Sequence, residues 1–564
     1  MNIFKFAAKL IVQIFFVIIF FSTLQAKNLD KFKKGENISN YFSGILLLNQ
    51  SKYNESYSFL NKLDGLESEH LEFSSKFLYS LISLGKYEEA FKYAKKLEKK
   101  ELDSFESNLI LGVYHLKINK SSEAKKYFIK LKSKNSNLIL NNFISNFLIN
   151  WSDLEKLDLI RAETRINLAN SEFKNLKNIE NVFLHCFYKS TKTDLKFKEL
   201  VSNNKVDFSR YNYFYASYLV NLGKIDKAQQ LINTSLNLFP RNLLLNQYNF
   251  QLQNKIIKNN FNCQNHLHVI AEIFYVTANA LSSQSIYTLS NFYINLAKFL
   301  NSDFYSFDTL IAENFYKIDN FKEAKKIYKK MEDFSPVYMW FAAKQNAKIL
   351  IKEGNKDKAL KILTDNYEKL KEKNIYEIYE YADFLKSNDQ LEKSISYYTE
   401  VIEKIDRNHV LYPEVLEGRG VVYERTGNWD KAEKDLLASL EVSPDQAYVI
   451  NYLAYSWIEQ GINIEESLKM LEKANKLKSN DPYIIDSLGW ALFKLKKYKD
   501  AKKYLEIAVQ LMPEDPIISD HYGDVLWKNG KKIQAKYYWK YALNLKDTKK
   551  ELKNSLKNKL ISGL

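Results

Sequence analysis

Three potential metal ligands fall within six positions at Cys263, His266 and His268, in a chain with only two cysteines and seven histidines. Thiolate and imidazole are the usual ligands of tetrahedral zinc, but such a site needs four ligands, or three and a water, in paired spacings. No fourth ligand stands near this cluster, so an exposed polar loop is the expected reading. A metal-dependent factor built on segment 243–270 is the alternative. Asp520 and His521 suggest acid–base work, yet sequence neighbours on a helix point about 100° apart, so a structural or groove role is expected of His521. His409 stands alone. The metalloprotease, phosphate-loop, dinucleotide-loop and nucleophile-elbow motifs are missing, as is any C-x-x-C pair. The expectation is therefore no enzyme, no cofactor and no catalytic or metal residues.

A second set of residues carries binding chemistry. Arg425, Asn451, Tyr455, Asp486, Trp490, Phe493, Lys494, Asp520, Asp524, Trp527 and Lys528 mix rings with charge, the composition of a protein-binding hot spot. Trp429, Trp457 and Trp539 fall at core positions of the repeat described below, whereas Trp490 and Trp527 point toward a groove. Packing of those two rings between adjacent helices is the alternative. Asp486, Asp520 and Asp524 would repel an acidic tail, so a mixed or basic, partly aromatic peptide is the expected ligand.

These residues recur on a 34-residue period. Small residues sit at Ser56, Ala90 and Ala124, then at Ala228, Ser290, Ala324, Ala359, Ser394, Ala432, Ser467, Ala501 and Ala535. Glycine repeats at two further phases, Gly420, Gly489 and Gly523 at one and Gly427, Gly461 and Gly530 at the other. All seven prolines fall at unit boundaries: Pro240, Pro336, Pro444 and Pro513 close units, and Pro413, Pro482 and Pro516 open them. Proline is excluded from helix interiors, so what lies between is helical. Small residues let two helices of a pair approach, and large apolar residues fill the rest.

The unit at 482–515, PYIIDSLGWALFKLKKYKDAKKYLEIAVQLMPED, resembles the tetratricopeptide repeat at its Leu488–Gly489, Ala501, Leu505, Ala508 and Pro513 positions. The resemblance implies an all-α superhelical solenoid of antiparallel helix pairs, about 11–14 units with some degenerate. It also implies a row of nearest-neighbour interfaces and a concave face lined by the first helix of each pair. The organisation expected is N-terminal units over 37–138, degenerate helical repeats over 139–208, one unit at 209–242, and an irregular segment or single helix at 243–270. Central units follow over 271–408, C-terminal units over 413–549 and a capping helix at 550–564. Leu552, Leu556 and Leu560 form that helix's apolar stripe. A membrane-surface helix is the alternative for it.

Residues 413–545 are also similar to the C-terminal half of a family of secreted bacterial tetratricopeptide proteins without assigned activity. The carrying stretches are Asn451-Tyr-Leu-Ala-Tyr-Ser-Trp457, Asp486-Ser-Leu-Gly-Trp-Ala-Leu492 and Ser519-Asp-His-Tyr-Gly-Asp524. Ala454 stands where that family usually has glycine. The resemblance implies a fold and a location, not a reaction.

Residues 1–26 have the anatomy of a signal peptide: Lys5 and Lys9, then an apolar run at 11–24, then Leu-Gln-Ala. A linker at 27–36 follows. A periplasmic location is expected, with an uncleaved anchor in the inner membrane as the alternative; membrane contact is expected only through this segment. The formal net charge is +16, and arginine, the preferred residue for phosphate and base contacts, occurs only seven times. Other proteins or peptides are therefore the expected partners, and nucleic acid is not. Cys186 and Cys263 are expected as two buried thiols; a disulfide between them is the alternative, contributing roughly 4 kcal/mol in the chain-entropy model.

Overall fold

The computed structural model describes residues 35–564 apart from 69–70, 135–138, 169–172, 203–206 and 259. The signal-like segment at 1–26 lies outside the described residues. Every regular element among those described is helical, and the chain divides into two compact units, one ending at Asn366 and one beginning at Tyr367.

The period reads directly as packing. All twelve small residues at the alanine phase, from Ser56 to Ala535, are fully buried where the two helices of a pair meet. A Cβ placed on Gly489 would fall 2.7 Å from the Leu505 side chain, closer than real side chains approach. Only glycine lets the Pro482–Lys494 and Tyr498–Leu511 helices close to this separation. The second glycine phase ends first helices in the left-handed conformation, as at Gly461 with φ of 74°. Where glycine is missing at that phase the backbone is the same: Asn119, Asp319, Asp389 and Lys496 have φ of 58°, 58°, 60° and 61°. The last two first helices begin on carboxylate caps, with Asp481 Oδ1 accepting from the backbone N–H of Tyr483 and Ile484 and Asp515 Oδ1 from Ile517 and Ile518. Pro482 and Pro516 occupy the first turn, where no N–H is needed. Pro336 differs from expectation: it opens the Pro336–Lys352 helix behind the Ser335 cap rather than closing a unit.

From Tyr367 onward the pairs are regular, Ile375–Ser387 with Leu391–Lys404 through to Pro516–Lys528 with Lys532–Asn544. The Lys550–Ser562 helix covers the last pair, with Leu556 fully buried and Leu552 and Leu560 packed beside it. The tail's apolar stripe is thus spent on the repeat.

The first unit is not a row of nearest-neighbour interfaces. Its Tyr287–Leu300 helix packs on Leu71–Ser83, Gly35–Asn49 and Phe105–Lys117, so the array closes back on its own start. Tyr79 meets Phe292 with centroids 4.9 Å apart, and Tyr87 donates to the backbone carbonyl of Asn295 at 3.0 Å. Asn291 donates to the hydroxyl of Tyr53 and accepts from Asn314, whose amide also donates to Ser290. These polar groups are buried and satisfied by one another, which fixes the register of the closure. Segment 243–270 is less irregular than expected. It holds the Leu243–Gln253 helix and the start of His266–Ser283, with 254–258 and 260–265 outside helix. In that connection Phe261 and Cys263 are buried, and Cys263 is bonded to Cys186 with Cα atoms 5.8 Å apart. The expectation of two thiols is corrected: Phe183 of Lys174–Phe187 meets Phe261 of the connection with centroids 5.3 Å apart, and the two cysteines lie beside that contact.

Candidate functional site

Cys263 cannot serve as a thiolate ligand, because its sulfur is committed to Cys186. His268 Nδ1 accepts the backbone N–H of Asn262 at 3.0 Å, and burial holds that imidazole neutral, near pKa 4. No group of three metal-binding side chains gathers among the described residues. The metal alternative for 243–270 therefore loses its sulfur and one histidine nitrogen to structural bonds.

Of the residues expected to line a groove, Tyr455, Asp486, Trp490, Phe493, Asp520 and Asp524 gather around His521, where successive first helices approach one another. The curvature brings Tyr455 of the Ala447–Gln460 helix within 6.4 Å of His521, two repeats on. Between them Trp490 lies flat on His521, centroids 3.9 Å apart and planes 11° apart, and also stacks on Phe493. Its indole N–H donates to Glu459 at 2.7 Å. Trp490 is buried, so the packing alternative describes it better than an open groove. Asp486 Oδ2 accepts from His521 Nδ1 at 2.8 Å. Burial alone would lower the His521 pKa, but Asp486, Asp520 and Asp524 together raise it above the ordinary value.

The last repeat is occupied by the chain itself. Lys559 of the terminal helix donates to Asp520 Oδ1 at 2.7 Å and to both oxygens of Asp524 at 2.8 Å. Asp524 Oδ1 also accepts from the Trp539 indole at 2.9 Å. Burial, then repulsion from Asp520, raises the Asp524 pKa, while Lys559 pulls it down. Trp527 packs on Trp539, and its ring abuts Gly563, where no side chain would fit. Lys528 reaches the backbone carbonyl of Leu564 at 3.4 Å. Arg425 is exposed and paired with Asp389 at 2.6 Å, outside the cluster, and Lys494 lies 3.7 Å from Glu459.

One feature was missed. Tyr448, Tyr483 and Ile517 are 51%, 49% and 47% exposed, and they occupy the same position of three successive first helices, 35 and 34 residues apart. Their signal was present in the period, since this phase also faces inward. One turn further along the same helices, the expected residues Asn451, Asp486 and Asp520 line up as a ladder of acceptors. Asn451 Oδ1 and Asp486 Oδ1 are shielded from solvent and accept no hydrogen bond.

The family profile described as tetratricopeptide repeat matches residues 342–548. A TPR repeat-containing protein of Pseudomonas aeruginosa is 32% identical over 124 residues, covering 22% of this chain and 20% of that one. The chain thus spans about a fifth of the length of the curated relative it matches. Among solved structures, a tetratricopeptide repeat protein from Parabacteroides merdae is 20% identical, covering 45% of this chain and 97% of that one, with a TM-score of 0.37. MamA from Desulfovibrio magneticus is 16% identical and covers 32% of this chain and 98% of its own, with a TM-score of 0.27.

Proposed function

Since residues 342–548 are tetratricopeptide repeats, which serve as protein–protein interaction scaffolds, we infer that this chain is a non-catalytic scaffold of the bacterial cell envelope. It holds segments of partner proteins along the inner face of repeats 413–549 and assists assembly of envelope proteins. The observation that carries this reading is the exposed ladder of Tyr448, Tyr483 and Ile517. Large apolar side chains at one phase of consecutive repeats offer an extended partner equivalent anchors about one repeat apart. Micromolar binding needs about −8 kcal/mol, which two or three such anchors and a few hydrogen bonds supply.

Location is part of the proposal. The pattern of residues 1–26 supports export, and a Cys186–Cys263 disulfide suits an oxidising compartment. Among the described residues no helix is long and apolar enough to cross a membrane. Mass spectrometry of the mature N-terminus decides the manner of attachment: a chain starting at Lys27 is free in the periplasm, and one retaining residues 4–24 is a tethered organiser. Photo-cross-linking in intact envelopes tests the groove. Replacing Tyr448 and Tyr483 with serine should abolish the principal adducts, and unchanged adducts would remove the proposal.

A further inference from the structure

Asn451, Asp486 and Asp520 occupy one position of three consecutive first helices, 35 and 34 residues apart, and all three present side-chain oxygens on the inner face. Only the last rung is filled. There Lys559, arriving from the terminal helix, places its ammonium against Asp520 and Asp524 at 2.7 and 2.8 Å. The two earlier rungs carry the oxygens without partners, Asn451 Oδ1 and Asp486 Oδ1. A buried acceptor left unpaired costs about 1–3 kcal/mol, and more when the group is ionised. Asp486 is 4% exposed and its other oxygen is already used by His521. Such an arrangement is stabilised by any donor that reaches it.

The sign of that donor is set by the neighbourhood. Around the track stand Asp486, Asp520, Asp524 and Glu459, set against His521, Lys559, Lys494 and, over the Tyr448 ring, Lys478. The N-cap carboxylates Asp481 and Asp515 flank the exposed Tyr483 and Ile517 at its rim. Acceptors dominate, and the side chain that the protein itself inserts is a lysine beside the Trp539 ring, 5.9 Å from its centroid.

We propose that Asn451, Asp486 and Asp520 form a recognition track for a lysine-bearing protein segment, whose last rung Lys559 occupies in cis. The apolar residues of the segment rest on Tyr448, Tyr483 and Ile517 while its ammonium groups enter the track. A partner able to reach the last rung competes with the terminal helix. This rests on the groove reading above and adds the chemistry of the ligand.

The test is fluorescence anisotropy of the full chain with a labelled synthetic peptide of alternating lysine and leucine, and with its glutamate-for-lysine counterpart. The lysine peptide should bind, with affinity falling steeply as salt rises, and the glutamate peptide should not. Asp486→Asn keeps the shape and removes the charge, and should weaken binding about tenfold. Lys559→Met empties the last rung and should tighten binding by a similar factor. Lys559→Met combined with Asp520→Asn removes charge from both sides, and should bind no more tightly than the unaltered chain even if the terminal helix loosens. Equal binding of both peptides, or affinities indifferent to Asp486 and Lys559, overturns the track. If the track fails while envelope cross-links still depend on Tyr448 and Tyr483, the groove stands without it. If the peptide obeys the track while the cross-links ignore those tyrosines, the groove reading fails instead.

Discussion

His521 lies flat against Trp490 at 3.9 Å while its Nδ1 holds Asp486 at 2.8 Å, so one buried imidazole joins two first helices by stacking and by charge. The groups facing it are Asp486, Asp520, Asp524, Tyr455 and, through the aspartates, Lys559. Its pKa is raised in the folded chain from an ordinary 6.5. A raised folded value means stability fully present below pH 6.5 and lost as pH rises through the folded value. Asp524, also raised, acts with the same sign. Urea unfolding followed by tryptophan fluorescence should therefore show the C-terminal repeats weaker at pH 8.5 than at pH 6. His521→Gln should flatten the slope above pH 6.5. His521→Ala leaves Asp486 buried without its cation and should cost about 3–5 kcal/mol. A variant whose slope matches the unaltered chain would show that His521 does not titrate in this window.

How much of this was legible in the sequence follows from what periodicity encodes. It reports which face of a helix is buried, and so the residues from Ser56 to Ala535 and the cap of Leu552, Leu556 and Leu560 could be read from spacing alone. It does not report how tightly successive repeats curve. Trp490 and Asp486 face inward as their phase requires, but curvature brings Tyr455 within 6.4 Å of His521, two repeats on, and the Trp490 ring is buried in that packing. Tyr483, nearer the helix start, stays open. Contacts that skip the period leave no trace in it. The pairing of Tyr53 with Asn291 spans 238 residues, and only the folded first unit reveals it. The meeting of Cys186 and Cys263 is of the same kind: each lies where the register fails, so no phase relates them.

Glu180 offers a test in the first unit. Its carboxyl is fully buried and accepts from the Trp151 indole at 3.0 Å. Burial pushes its pKa from 4.5 up to about 8, against the weaker pull of Trp151 and Lys177. The group is therefore protonated near neutrality. Its contribution is complete below pH 4.5, declines as pH rises and is gone above about pH 8. Glu180→Gln retains the carbonyl acceptor and carries no charge to bury. At pH 8.5 it should stabilise the chain by about 1–3 kcal/mol, with no gain at pH 4.5. Calorimetric scans of both proteins at the two pH values check this, and an equal difference at both would refute the titration.

Reduction should loosen the first unit. The Cys186–Cys263 bond closes 77 residues of chain, and a loop of that size contributes roughly 4 kcal/mol in the chain-entropy model. Cys186→Ser with Cys263→Ser should lower the unfolding midpoint by that order, and reductant should have no further effect on the double variant. Alkylation under non-reducing conditions followed by mass spectrometry should find neither cysteine modified in the native chain. Full labelling of the folded, unreduced protein would show that the bond does not form.

Lys496 holds the left-handed cap between Pro482–Lys494 and Tyr498–Leu511 at φ of 61°, the conformation that glycine takes at the equivalent Gly461 and Gly530. A residue with a Cβ carries about 1–2 kcal/mol of strain there, part of which glycine returns through its freer unfolded chain. Lys496 is exposed and makes no ion pair among the described residues. Lys496→Gly should therefore stabilise the C-terminal repeats by about 0.5–1 kcal/mol. Gly461→Ala, which imposes a Cβ on the same geometry, should destabilise them by a similar amount. Measuring both by urea unfolding under one set of conditions makes the comparison internal. Opposite signs establish that the helix-ending conformation is set by the repeat and not by the residue occupying it; two destabilising results would mean that Lys496 contributes through its side chain.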